Sequence, residues 1–323
     1  MSKISAIKGV IAKLPVSDIL DISSFIANHV QNQAVQVALT KRSQAVLKSD
    51  CIHCGFACLV QWGRANSGTQ RFKCRNCKAT FGATTGTPLY RLRNRHLWSK
   101  YLGLMTTHIP LVKLREQHGI DLSLPTLHRW RHRFLTALVA NPAGKLAGLI
   151  EADEKFFRTS FKGSRGWKRG ARPQDRKVRR RGGADQRGLG DQQVPVLTAL
   201  DRSGAIFQTQ LPDTKWDSIG GAMKPWLEAE SMICSDGNGT YARVAGQTGC
   251  EHMVVKKGSG GGNTRNLSIG RIDAYHRDVE NLVNRRCMGV GTRYLMNYFG
   301  WARRITQHKP FGNDLLGEIL AAV

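Results

Sequence analysis

The sequence predicts an α/β domain in the second half of the chain, preceded by a cysteine-rich module and a helical region. Three observations carry this. From residue 148 onward, short apolar runs alternate with turns and helical stretches, the mark of a mixed sheet covered by helices. Two C-x-x-C knuckles lie upstream within residues 49–86. Between the two regions, residues 95–139 return to a 3.6-residue apolar period.

Composition narrows the partners. The chain has 323 residues, with 49 Lys+Arg against 23 Asp+Glu, a net charge of +26. So basic a surface favours a polyanion, nucleic acid first and an acidic membrane surface second. At 41% hydrophobic residues the chain can build packed cores, which excludes disorder throughout. No uncharged apolar stretch approaches the roughly 18 residues that span a bilayer, which excludes an integral membrane protein. The start, MSKISAIKGVIAKLPVSD, lacks the apolar core of a signal peptide, so a cytoplasmic, reducing location is expected. The eight cysteines then read as metal ligands and thiols, not as a disulfide framework.

Residues 1–48 form the first expected segment. Ile19, Leu20, Ile22, Phe25, Ile26 and Val30 fall near a helical period, with Ser17 or Asp18 placed to cap it. Either this helix joins copies of the chain or it is a plain packing helix. Residues 49–86 read as a zinc ribbon. Cys51-Ile-His-Cys54 and Cys74-Arg-Asn-Cys77 each offer two thiolates from a tight turn, with 19 residues between them. Paired knuckles suit tetrahedral zinc, and four protein ligands leave no open position, so the metal is expected to be structural. Four unrelated buried cysteines are the alternative. Cys58 and His53 are spare, and Cys234, Cys250 and Cys287 read as core or surface thiols.

Residues 87–145 read as a helix-turn-helix region. Within LVKLREQHGIDLSLPTLHRWRHRFLTAL (111–138), Gly119 separates two helical stretches. Ser123 can cap the second, and Pro125 falls in its first turn, where a missing N–H costs nothing. Leu127, Trp130, Phe134 and Leu138 make one apolar stripe, while His128, His132 and basic residues cover most of the rest. A recognition helix looks like this, with Thr126, Arg129, Arg131 and Arg133 as candidate DNA contacts. An ordinary basic surface helix is the alternative. Over 51–138 there are 14 Lys+Arg against Glu116 and Asp121, which favours double-stranded DNA as partner.

Residues 146–310 are the expected α/β domain, and 311–323 a tail. GLIEADEKFF (148–157), VPVLTAL (194–200), AIFQTQL (205–211) and SMICSD (231–236) read as strands, 214–230 as a helix, and further helices follow from about 270. A basic insertion covers 155–190. Its residues 155–187 hold 13 Lys+Arg against Asp175 and Asp185, a local net of +11, with Arg179, Arg180 and Arg181 at its densest point. Guanidinium groups match phosphate oxygens bidentately, so the insertion reads as a DNA contact; a solubilising loop is the alternative. KKGSGGGNTRN (256–266) reads as a flexible connection, with phosphate cradling as its alternative.

Acidic residues in so basic a domain need a reason. Alternation puts Glu151 and Asp153 on one face of their strand and Glu154 on the other. Asp236 ends an apolar strand just before Gly237-Asn238-Gly239. Asp273 and Glu280 share a helix face about 20° apart, with His276 about 60° from Asp273. Carboxylates that converge can hold two divalent cations, Mg²⁺ or Mn²⁺, for phosphoryl transfer; solvated surface acids are the alternative.

Several motifs together resemble a known family. Ile150-Glu151-Ala152-Asp153-Glu154, QQVPVLTALDRSG (192–204), SDGNGTY (235–241), AYH (274–276) and GVGTRYLMNYFGWARR (289–304) occur in the order found in bacterial insertion-sequence transposases of the ISXO-like class. TFGATTGTPLYRLR and WRHRFL fit that family's N-terminal part, so the resemblance covers about residues 50–305. It implies a zinc ribbon followed by a DDE-type catalytic domain of RNase H-like fold. It implies Asp153 and Asp236 as the first two catalytic carboxylates, with the third position on Asp273. That position is usually Asn or Glu in the family, and the Lys seven residues later falls on Glu280; both are departures. His276 either orients a phosphate or water, or packs. The implied activity is Mg-dependent cleavage at element ends followed by strand transfer, by a homo-oligomer on nucleoid DNA. A DNA-binding repressor without catalysis and a structure-selective nuclease are the rival expectations.

Overall fold

The computed structural model describes residues 3–139, 144–162, 192–255 and 268–321. Arg179, Arg180 and Arg181, most of the basic insertion and the loop 256–266 lie outside the described residues. The chain divides into two compact units: Met1–Ala137 with Pro310–Val323, and Leu138–Lys309.

The first unit opens with α1 (Lys3–Ile11) and α2 (Val16–Leu47). Neither Ser17 nor Asp18 caps α2 as expected. The helix starts behind Pro15, at φ −55° and ψ 151°, and the Ser17 hydroxyl donates to the Asp18 carboxylate at 3.0 Å. Proline's fixed φ sets the entry instead. Ile4, Ile7, Leu20, Phe25 and Val30 are exposed, while Val35, Leu39 and Val46 are buried. Next comes an antiparallel ribbon of β1 (Leu59–Arg64), β2 (Gln70–Cys74) and β3 (Thr80–Gly82). Alternation turns Phe72 and Cys74 inward, where they join Val46, Cys51 and Phe81 in a small core.

Helices α3 (Trp98–Leu104), α4 (Leu111–Glu116) and α5 (Leu124–Thr136) complete the middle of this unit. The predicted stripe of α5 is buried at Leu127, Trp130 and Phe134, and Tyr101 packs on both aromatic rings. Pro125 lies in the first turn of α5, as its missing donor requires. The Ser123 hydroxyl meets the Thr126 hydroxyl at 2.9 Å and caps no amide.

The second unit contains β4 (Leu149–Arg158), β5 (Gln193–Asp201), β6 (Ile206–Gln210), α6 (Trp216–Met223), β7 (Met232–Ser235), α7 (Gly239–Thr248), β8 (Glu251–Val254), α8 (Gly270–Glu280) and α9 (Leu295–Thr306). The sheet order is β6-β5-β4-β7-β8. The first three strands in sequence form an antiparallel meander; β7 runs parallel to β4, and β8 parallel to β7. This is the RNase H-like mixed sheet. On one face Ile150 and Ala152 pack with Ile219, Met223, Tyr241 and Val244. On the other, Phe157 meets the Phe299 ring of α9 at 5.3 Å. α10 (Asn313–Ala321) returns to the first unit. Expected as a tail, it is a helix that buries Leu315, Leu316, Ile319 and Leu320, with α2 and α3 as its neighbours.

Two glycines make opposite predictions. A Cβ at Gly300 in α9 would lie 2.1 Å from the Leu138 carbonyl oxygen, which Arg303 pins through a 2.8 Å hydrogen bond. Gly300→Ala should therefore cost at least about 2 kcal/mol by overpacking, despite alanine's helix advantage of about 1 kcal/mol. Gly246 in α7 has nothing within 4 Å, so Gly246→Ala should stabilise by up to about 1 kcal/mol. Denaturant unfolding of the two variants measures both signs.

Candidate metal and carboxylate sites

The two knuckles converge. Ligand atoms of Cys51, Cys54, Cys74 and Cys77 all lie within 4.8 Å of one another. Cys51 and Cys77 sulfurs are 3.7 Å apart, as are those of Cys54 and Cys74. Tetrahedral Zn–S bonds of about 2.3 Å imply sulfur–sulfur edges of about 3.8 Å, so this quartet fits the ion. The spare Cys58 is near as well, with its sulfur 3.4 Å from Cys74.

The carboxylates gather by register. β4 pairs with β7 at Leu149↔Met232, Ile150↔Ile233 and Glu151↔Cys234. Continuing that register two residues sets Asp236 abreast of Asp153, one strand spacing away. The chain turns immediately afterwards at Gly237, whose φ of 109° suits a residue without Cβ. Asn238 then caps α7 by accepting from the Thr240 amide at 3.0 Å. α7 carries Tyr241, whose hydroxyl donates to Glu154 at 2.6 Å across the other face of β4. Burial raises the Glu154 carboxyl to about pH 7, and the charges of Asp153 and Asp236 push in the same direction. Three acids thus share one end of the sheet. Protonation of Glu154 or a divalent cation relieves their repulsion.

On the Asp153 face, helix α8 runs along β4 in step with it. Glu151 is fully buried, and its Oε2 accepts the amides of Arg271 and Ile272 at 3.0 Å each. Arg202 approaches its Oε1 at 3.2 Å. Two residues along, Asp153 Oδ2 lies 3.6 Å from Nδ1 of buried His276. Two further, Lys155 Nζ meets Glu280 at 2.9 Å. Two strand residues advance about 6.6 Å and four helix residues about 6 Å, so the pairs stay matched. Among the described residues, Nε2 of His276 is buried without a hydrogen-bond partner. The Tyr275 hydroxyl donates to Gln208, on the β6 side. Asp273 and Glu280 lie about 160° and 140° around the helix from it. The carboxylates are more widely spaced than the cysteines, the one group of three or more metal-ligating residues drawn within 4.8 Å among the described residues.

The candidate DNA contacts of α5 separate by burial. Arg129 is exposed and Thr126 half-buried. Arg131 is 9% exposed and donates to the Ile109 carbonyl at 2.8 Å. Arg133 donates to the carbonyls of Pro88 and Tyr90. Sequence reasoning singled out Glu151 and Glu154 only as neighbours of Asp153, and Tyr241 and Lys155 not at all. One signal for Glu151 was available: α8 begins at Gly270 without a Ser, Thr, Asp or Asn cap, so its first amides need an acceptor from elsewhere.

The buried pair gives a pH prediction. Because folding raises the Glu154 pKa to about 7, the metal-free protein should lose stability as pH rises from the ordinary carboxylate range through 7. Glu154→Gln keeps an acceptor for Tyr241 and removes that ionisation. It should stabilise the chain relative to wild type at pH 8.5 in chelator, and show little gain at pH 5. Thermal melts at the two pH values test this.

Comparison with known proteins agrees with the geometry. Residues 145–301 match the model of the ISXO2-like transposase domain. A protein in the transposable element ISH50 of Halobacterium salinarum is 31% identical over 157 residues, 47% of this chain and 49% of the relative. The chain thus spans about half the length of the curated relative it matches. No described helix is long and apolar enough to cross a membrane. The α/β unit is thus similar to ISXO2-like transposase domains.

Proposed function

We propose that the chain is a DNA transposase that binds the ends of its element and cuts and joins them by metal-dependent phosphoryl transfer. The observation that supports this is the nearness of Asp153 and Asp236 at one sheet end, where the charges of both act on Glu154. In this reading Asp153, Asp236 and Asp273 hold two divalent cations, Mg²⁺ or Mn²⁺. Such ions supply Lewis acidity at the phosphate and favour hydroxide over water. Water attacks the phosphodiester at the element end, the P–O3′ bond breaks, and a 3′-OH is left. That 3′-OH then attacks a target phosphodiester, the target's own P–O3′ bond breaks and a target 3′-OH is released, so no covalent enzyme intermediate is needed. Glu154 and Tyr241 lock the Asp153 strand to the turn that carries Asp236. His276 sets the Asp153 carboxylate from behind, and Lys155 offsets the charge of Glu280.

DNA is held by Thr126 and Arg129 on α5 and by the basic insertion with Arg179, Arg180 and Arg181. The cysteine quartet holds zinc and keeps the ribbon folded. Two copies act on paired ends, joined through the exposed apolar residues of α1 and α2.

The test uses purified chain, labelled end DNA and Mg²⁺ or Mn²⁺. Asp153→Ala and Asp236→Ala should each lower nicking at least a hundredfold while leaving the DNA shift intact. Shifted but uncut wild-type complexes would favour the second reading, a DNA-binding repressor without catalysis. The acid at 280 and its Lys155 partner speak for that reading. Separately, the chain should carry one zinc. Cys51→Ser should release it and melt the ribbon, whereas Cys58→Ser should retain it; a chromogenic chelator reads both.

A further inference from the structure

We propose that a cleft beside the ribbon grips the phosphodiester backbone of DNA through Arg71, Arg91 and Arg95. The inference rests on the DNA-binding reading above and adds a site to it. The cleft has a volume of about 320 Å³, and its lining includes these three arginines and four threonines but no Asp or Glu. That space admits a sugar-phosphate unit and not a duplex, so the backbone is the part of DNA that fits.

Each arginine arrives by its own route. In β2 the inward turn of Phe72 and Cys74 sends Arg71 to the opposite face. Its register partner is Gly82, so no side chain stands across from it. Arg71 is oriented by the Thr80 hydroxyl at 3.3 Å and Arg95 by the Thr69 hydroxyl at 2.7 Å. Hydroxyls hold these cations without neutralising them. Among the described residues no carboxylate pairs with any of the three. Arg91 stacks over the Tyr90 ring at 5.1 Å and has φ +59°, and Asn94 has φ +51°. Two residues with Cβ atoms in the left-handed region within four positions mark a segment held in shape for what it delivers. What this segment delivers to the cleft is Arg91 and Arg95. By contrast, Arg131 and Arg133 of α5 are bonded to backbone carbonyls, so the cleft offers cations where α5 has few to spare.

The full zinc-loaded chain is titrated into two fluorescent duplexes of equal length, one with an element end and one unrelated, across a range of NaCl. Arg71→Ala and Arg91→Gly should each weaken binding of both duplexes about fivefold. Each should also flatten the slope of log K against log salt by about 0.9. Gly82→Val, at a position with ordinary φ and no close neighbour, fills the cleft without removing charge and should weaken binding as well. Arg91→Gly relaxes the backbone, so its melting temperature should equal or exceed that of wild type, which separates lost contact from lost fold. Wild-type affinity and slope in all three variants would overturn the cleft while leaving the DNA reading intact. A loss confined to the element-end duplex would also overturn it, because backbone contacts carry no sequence information. Failure of the wild-type chain to bind either duplex would sink both readings.

Discussion

A carboxylate that never reaches solvent, Glu151, organises the second unit. Taking an ionised acid out of water costs several kcal/mol unless donors replace the lost hydration. Glu151 finds two amides at the start of α8, where the helix dipole is positive, and the Arg202 guanidinium. Those bonds fix the helix against β4 in both position and direction. Once the first step is fixed, the near-equal advance of two strand residues and four helix residues sets His276 beside Asp153 and Glu280 beside Lys155. Asp153, Asp273 and Glu280 are therefore held on regular elements, and Asp236 on the short turn that leaves β7.

The opposite face works by a second buried link. Tyr241 and Glu154 join α7 to β4, and α7 begins three residues after Asp236. The β4–β7 register and this bond act on the same turn from two sides. Burial in this corner, with the charges of Asp153 and Asp236 adding to it, raises the Glu154 pKa to about 7. Such a corner is costly for a bare protein and favourable for one that takes up divalent cations.

In the first unit the basic residues divide into those the fold consumes and those it presents. Arg131 and Arg133 satisfy backbone carbonyls between helices, and Lys73 lies over the Trp62 ring at 4.1 Å. Arg129 faces solvent, and Arg71, Arg91 and Arg95 line one cleft. A charge count treats all of these alike. Burial and hydrogen bonding decide which can meet a phosphate.

Much of this was legible in the residues alone. The knuckle spacing specified the cysteine quartet, because a C-x-x-C turn presents both thiolates whatever surrounds it. Short apolar runs marked β4 to β7 within one or two residues, and the α5 stripe marked its buried face. The strand β8 escaped notice because Glu251–Val254 is a short edge strand with little buried apolar surface. The fold class and the candidate acids Asp153 and Asp236 could be read locally, since both follow from periodicity and turn chemistry. The abreast placement of those two acids, the burial of Glu151, the Tyr241–Glu154 link and the diversion of Arg131 came only with the tertiary structure. Each depends on a register between elements far apart in the chain, and no local pattern encodes which carbonyl, amide or carboxylate a side chain will meet.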